Sequence, residues 1–162
     1  MKRWVDGRLV RRLVAILALG AAVHPAAGAA DGSREQQAVA ETIRAVFRAA
    51  ERKQLDLLES YHLYGPQFTK FDEFGGGRED AATTQAAEGR AVAAVKTFKA
   101  NVEDLKVDLL GQAAVATFIV TYSAELAEGT ATGRLRSTVV FAKHGRSWKI
   151  VHEHYSALRA KE

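Results

Sequence analysis

The chain has no cysteine in 162 residues. That excludes disulfides, thiol chemistry and a thiolate zinc site, so a domain of this composition is held together by its core. Proline occurs only twice, at Pro25 and Pro66. No Gly-rich phosphate loop with a lysine occurs, and no nucleophile elbow. After residue 30 no apolar run is long enough to cross a bilayer as a helix. There is also no surplus of charge once the N-terminus is set aside. Of 23 basic and 19 acidic residues, five basic (Lys2, Arg3, Arg8, Arg11, Arg12) and one acidic (Asp6) lie in residues 1–30, leaving 18 of each. The balance offers no electrostatic footprint for nucleic acid, and no Lys/Arg cluster with interleaved aromatics remains in residues 31–162.

Residues 1–30 themselves read as a signal peptide: a basic head, an apolar stretch from Leu13 to Val23, then Pro25 and small residues to Ala30. A mature start near Ala30 or Asp31 is expected, with a periplasmic or secreted destination and no stable membrane anchor. Arg11-Arg12 also fits twin-arginine export, and an uncleaved anchor is the alternative to cleavage. The remainder, residues 31–162, is long enough for one domain with a core of its own.

Along that domain Ser33 and Gln36 have capping-box spacing, and Val39, Ile43, Val46, Phe47 and Ala50 recur at helical spacing, which predicts a helix over 33–52. A tight kink at Lys53–Gln54 precedes a short helix from Leu55 to Tyr61. Gly65-Pro66 breaks the pattern, and residues 68–71 read as a short strand. The polar, Ala/Thr-rich stretch 75–88 reads as a mobile loop, and Ala91, Val92, Val95 and Phe98 predict a third helix over 90–100. Four β-rich runs follow, 102–110, 114–125, 130–143 and 147–156, separated by Gly-containing turns. Helices first and an antiparallel meander after imply an α+β domain with a strongly curved antiparallel sheet wrapped around N-terminal helices.

This layout, and the ending Gly145-Arg146-Ser147-Trp148-Lys149-Ile150-Val151-His152-Glu153-His154-Tyr155-Ser156, resembles the SnoaL-like branch of the nuclear transport factor 2-like superfamily. That branch often ends in a glycine turn, a tryptophan strand and a His-x-His-x-Ser segment. Gly89-Arg90-Ala91-Val92 and Thr132-Gly133-Arg134 resemble its third-helix opening and penultimate strand. The ending is also similar to the calcium/calmodulin-dependent kinase association domain. The resemblance implies a cone with a pocket, and often dimers through the sheet. Its members include isomerases, cyclases, hydrolases and dehydratases as well as noncatalytic binding domains, so it does not settle function.

Strict alternation divides the last strand into two stripes, Trp148, Ile150, His152 and His154 on one face, Lys149, Val151, Glu153 and Tyr155 on the other. By similarity to the kinase domain the stripe with Glu153 and Tyr155 faces the pocket, leaving Trp148 and the histidines outside as interface residues. Glu153 is the candidate general base, since a carboxylate in an apolar pocket can shuttle a proton; the alternative is a surface residue paired to Arg134 or Arg136. His154 is the second catalytic candidate. His152 and His154 can also share a metal if a third ligand comes from elsewhere, although neither metal nor other cofactor is expected. Tyr61, His62, Tyr64, Phe68 and Phe71 cluster where the family's pocket mouth would be, with Asp56 and Asp72 nearby, and Arg134 and Tyr155 complete the candidate ligand-binding set. The pattern departs from ketosteroid isomerase, which pairs a first-helix tyrosine with two pocket acids: helix 33–52 has no tyrosine.

The expectation is therefore an exported SnoaL-like domain that binds a small apolar molecule or a protein partner, dimerises through its sheet and binds no nucleic acid. The alternative is a cofactor-free isomerase, cyclase or hydrolase using Glu153 or a histidine. Glu153 inside an apolar pocket, within hydrogen-bond reach of a second polar group, would favour the enzyme. A cone filled by Phe68, Phe71 and Trp148 would sink it.

Overall fold

The computed structural model describes residues 27–73 and 76–158. The signal-peptide reading falls mainly on residues outside that range. No helix among the described residues is long and apolar enough to cross a membrane. The elements are α1 (Ala27–Glu51), α2 (Leu55–Ser60), β1 (Thr69–Phe71), β2 (Arg78–Glu79), α3 (Ala81–Ala94), β3 (Thr97–Leu110), β4 (Ala113–Leu126), β5 (Gly129–His144) and β6 (Ser147–Ala157).

Helix α1 forms as the periodicity predicts, with Val39, Ile43, Val46 and Ala49 buried on one stripe. Arg44 and Arg48 stay on the wet side and both reach Glu41. The helix starts before Ser33, which makes that residue interior, so the expected capping box does not form. Gln36 instead donates from Nε2 to the carbonyl of Val107 on β3, at 3.0 Å. Near the other end of α1, Glu51 accepts from the backbone N–H of Ala100 at 2.9 Å. The kink falls at Lys53–Gln54, where Lys53 takes a left-handed φ of 57° and the N–H of Gln54 bonds back to the carbonyl of Ala49.

The third helix differs from expectation. It spans Ala81–Ala94, and the stretch read as a loop holds β2 and most of α3. Asp80 caps it by accepting from the N–H of Thr83 at 2.8 Å. Alanine propensity carries this helix more than any amphipathic stripe, which is why apolar spacing misses it. Val95 turns to an extended conformation, and Phe98 belongs to β3.

The six strands form one sheet in the order β2-β1-β6-β5-β4-β3, with β3 at one edge and two-residue β2 at the other. All pairs are antiparallel except β1 with β6. Gly145, at φ 62°, makes the left-handed turn between β5 and β6 that a side chain would strain. The sheet is curved and unclosed, and α1 lies across its concave side. There Val39, Ile43, Phe68, Phe118, Phe141, Trp148 and Ile150 form the packed core.

One irregularity decides the site. Val140 pairs with His152 and Phe141 with Ile150, so Val151 is an extra residue with no partner opposite. Such a bulge shifts the phase of alternation. Trp148 and Ile150 before it, and Glu153 and Tyr155 after it, consequently share the concave face. The placement of Trp148 outside is therefore overturned: it is 5 % exposed and its indole N–H donates to Glu35. The inward placement of Glu153 and Tyr155 agrees with the structure.

Candidate active site and binding cavity

Beyond the packed core the concave side is hollow. The cavity has two adjoining lobes that share Ala50, Leu58, Glu88, Phe98 and Tyr122. The outer lobe, about 340 Å³, is apolar, lined by Ala91, Val92, Val95 and Leu126 among others. The inner lobe, about 260 Å³, adds Lys70, Asp72, Glu153 and Tyr155 to an apolar wall of Val46, Phe47, Val120 and Leu135.

Each polar group arrives by a local rule. Strand β1 runs parallel beside β6, with Lys70 opposite Glu153, so both point inward. Glu88 follows Thr84 by one helical turn, and both lie on the inner side of α3. His62 sits where the chain after α2 bridges Ile150 of β6; the backbone there is tied by Ile150 N–H to the Tyr61 carbonyl and Leu63 N–H to the Ile150 carbonyl.

Together these groups form one network. Tyr155 donates its hydroxyl to Glu153 Oε1 at 3.0 Å, and Tyr64 donates to Glu88 Oε2 at 2.8 Å. The Lys70 ammonium lies between the two carboxylates, 3.3 Å from Glu153 Oε2 and 3.4 Å from Glu88 Oε1. It also lies over the Tyr155 ring, 5.6 Å from its centre. Behind Glu153, the His62 ring donates from Nδ1 to the carbonyl of Leu58 at 3.1 Å. Its Nε2 faces Glu153 Oε1 at 3.6 Å, without a hydrogen bond. The ring stacks on Tyr64, 4.9 Å between centres.

The electrostatics follow from burial and proximity. Burial pushes the Glu153 carboxyl up, but Lys70, His62 and the Tyr155 hydroxyl outweigh it and hold the group well below the usual carboxylate range. Burial opposes the charge on Lys70, yet Glu153 and Glu88 more than offset it and the ammonium is raised above its ordinary value. His62 is likewise pushed down by burial and, more strongly in sum, up by Glu153 and Glu88. Burial and the neighbouring carboxylates keep Tyr64 and Tyr155 protonated. At neutral pH the cavity thus holds an ionised Glu153 against the Lys70 ammonium, with both phenols as donors.

The candidates divide accordingly. Glu153 and Tyr155 line the cavity; His62 and Tyr64 support its floor. Phe68 is buried in the core, and Tyr61 packs against the core. Phe71 is 41 % exposed on the convex face, its ring against His152 and His154 at 6.1 and 5.8 Å. His154 is exposed there, and His152 is tied through Nδ1 to the Thr69 hydroxyl at 2.8 Å. Arg134 lies in a separate open depression with Asn101, Thr121 and Gly133, paired to Glu103 at 3.2 Å. The pairing of Glu153 with Arg134 or Arg136 is overturned, since Glu153 is 2 % exposed and its partners are Lys70, His62 and Tyr155.

Among the described residues, the group with metal-ligand geometry is His62, Glu88 and Glu153, whose ligand atoms lie within 4.8 Å of one another. The Lys70 ammonium stands against both of those carboxylates and already supplies a positive charge there. Lys70, Glu88 and Tyr122 are the polar lining residues that sequence reasoning missed. A signal existed for one: Lys70 alternates with Thr69 and Phe71 on a strand.

Residues 39–160 match the SnoaL-like domain family. The chain belongs to that family. As a SnoaL-like domain it is similar in fold to solved proteins of low sequence identity. A candidate dehydratase of the nuclear transport factor 2-like family from Streptomyces avermitilis is 17 % identical, with a TM-score of 0.72, covering 79 % of this chain and 99 % of that one. A nuclear transport factor 2-like superfamily protein from Salmonella enterica serovar Typhimurium is 22 % identical, with a TM-score of 0.71 and coverage of 80 % and 95 %. The calcium/calmodulin-dependent kinase II hub of S. rosetta is 21 % identical, with a TM-score of 0.60 and coverage of 76 % and 96 %. No curated protein matches the sequence. For this SnoaL-like domain the likenesses show the fold; the site must speak for the chemistry.

Proposed function

We propose that this SnoaL-like domain is an exported binding protein that holds a small, largely apolar molecule in its cone, with a polar end on the Lys70–Glu88–Glu153 network. The observation that carries this is the two-lobed cavity itself: an apolar lobe opening onto a buried polar floor is the usual anatomy of a small-molecule site. A homodimer through the convex face, where Phe71 is exposed, belongs to the same reading. So does export, which rests on residues 1–30. Native mass spectrometry of protein purified from its own envelope tests all three: a dimer, a chain beginning near Ala30 or Asp31, and a retained small molecule. Ala50 lines both lobes, so Ala50→Phe should still fold, judged by circular dichroism, and lose the retained molecule. Retention by that variant would place the molecule elsewhere.

A second reading has its own support. Glu153 is a buried carboxylate on an apolar cavity with the Tyr155 hydroxyl at 3.0 Å, and Glu88 offers a second carboxylate across Lys70. A carboxylate and a phenol held so close supply the geometry for a cofactor-free isomerisation, cyclisation or hydrolysis with Glu153 as base, in which a substrate would have to displace the Lys70 ion pair that keeps the carboxylate weakly basic. Phe68 and Trp148 do fill the deep end of the cone, but Phe71 does not, and room remains beside Glu153. In this reading Glu153→Gln abolishes turnover while ligand binding persists; unchanged turnover would remove Glu153 as the base.

A further inference from the structure

Of the β4 residues that line the cavity, Tyr122 is the largest and the one that borders both lobes. A tyrosine standing upright there would rise into the space between sheet and helices and fill it. This one lies down, and the reason sits on the next strand. Gly133 is directly opposite Tyr122 in the register of β4 and β5. A Cβ on Gly133 would stand 2.7 Å from Tyr122 Cε1 and 2.8 Å from Cζ and the hydroxyl oxygen, well inside the separation of about 3.5–4.0 Å at which carbon atoms ordinarily touch. The far end of the ring thus takes the place of the missing side chain. The backbone of Gly133 lies outside the left-handed region, so it is the ring and not the chain direction that calls for glycine. A second constraint holds the ring there. Its hydroxyl donates to Glu73 Oε1 at 3.1 Å, two residues past the end of β1. With the ring down, the two lobes adjoin, and one molecule can extend from Val92 and Val95 to Tyr155.

We infer that Tyr122 decides the shape of molecule the cone accepts: laid across Gly133, it admits one elongated ligand that spans both lobes. Raised, the same ring would divide them. This rests on the reading of the cone as a binding cavity and adds to it a ligand longer than either lobe. Gly133 and Glu73 line neither lobe; they are positioning residues that act through Tyr122.

Two uncharged fluorescent probes test it, N-phenyl-1-naphthylamine and 1-naphthylamine, the same molecule without its phenyl ring. Both are titrated at pH 7 into the wild type, Gly133→Ala and the double variant Gly133→Ala/Tyr122→Ala, with folding checked by circular dichroism. In the wild type the phenyl ring should tighten binding at least about tenfold, the equivalent of about 1.4 kcal/mol. In Gly133→Ala that advantage should shrink to about twofold or less, while the shorter probe binds as before. Removing the Tyr122 ring as well should restore the advantage. An advantage that survives Gly133→Ala would overturn the inference and leave the cone as a binding site. A loss that the double variant does not restore would overturn it too, because Gly133 would then act on the strand and not through Tyr122. Binding of neither probe to the wild type, or binding that survives Ala50→Phe, would sink both the inference and the cavity reading. If Gly133→Ala fails to fold, Glu73→Ala decides in its place: freeing the hydroxyl should cut the phenyl advantage at least about threefold, and an unchanged advantage would overturn the inference.

Discussion

The two ends of the concave face are walled by the same strands and crossed by the same α1, yet one is solid and the other hollow. At the solid end the spaces between strands and helix are filled by Phe68, Phe118, Phe141 and Trp148. At the hollow end the cover is α3, which presents Ala91 and Ala94 to the cavity, and α1 contributes Ala50 there. The chemistry divides along the same line. Each large apolar side chain buried at the solid end stabilises the fold by about 1.5–3 kcal/mol. The charged groups at the hollow end roughly offset one another, because desolvating ions costs about what pairing them returns. One end holds the fold; the other adds little to it.

The comparison breaks most sharply under substitution. Trp148→Ala should lose about 3–5 kcal/mol of unfolding free energy, whereas Tyr155→Phe at the hollow end should lose about 1 kcal/mol, the worth of one hydrogen bond. Urea denaturation reads both, and equal losses would mean that the division is false. Next in size is Lys70→Met. Removing the ammonium strands two carboxylates, which should cost about 3 kcal/mol at pH 7. In the wild type, Glu153 contributes stability above its unfolded value of about 4.3 and loses it as pH falls through its lowered folded value. The variant should instead gain relative to wild type as pH falls and its carboxyls protonate. A deficit of the variant that does not change with pH would show that Lys70 acts by packing alone.

The smallest effect concerns His62. Its raised value means that its stabilising contribution is complete below about pH 6.5 and lost as pH rises through the folded value. Its imidazole resonances should therefore titrate above 6.5 in the wild type. In Glu153→Gln, where burial is opposed mainly by Glu88, the midpoint should fall below that value. No movement would separate His62 from the network.

How much of this could be read beforehand differs by element. The meander, α1 and the kink at Lys53 followed from periodicity and turn residues. The inward stripe of Glu153 and Tyr155 came from resemblance, and the site candidates His62 and Tyr64 from their position near the supposed mouth. Trp148 went to the wrong face because counting by two fails across Val151, and a bulge has no sequence signature in an unbroken run of β-formers. Glu88 was lost with α3, whose alanines carry no amphipathic signal. The pairing of Lys70 with Glu153 spans 83 positions and depends on a three-residue parallel strand, which no local pattern encodes.

The ties between α1 and β3 have a consequence for the open edge of the sheet. A sheet's edge strand ordinarily presents free backbone groups on which another chain can build. Here Glu51 and Gln36 already hold the Ala100 N–H and the Val107 carbonyl, a register shift interrupts β3 between Glu103 and Lys106, and the opposite edge is only two residues long. Strand addition at either edge, the first step towards a fibre, is thereby hindered.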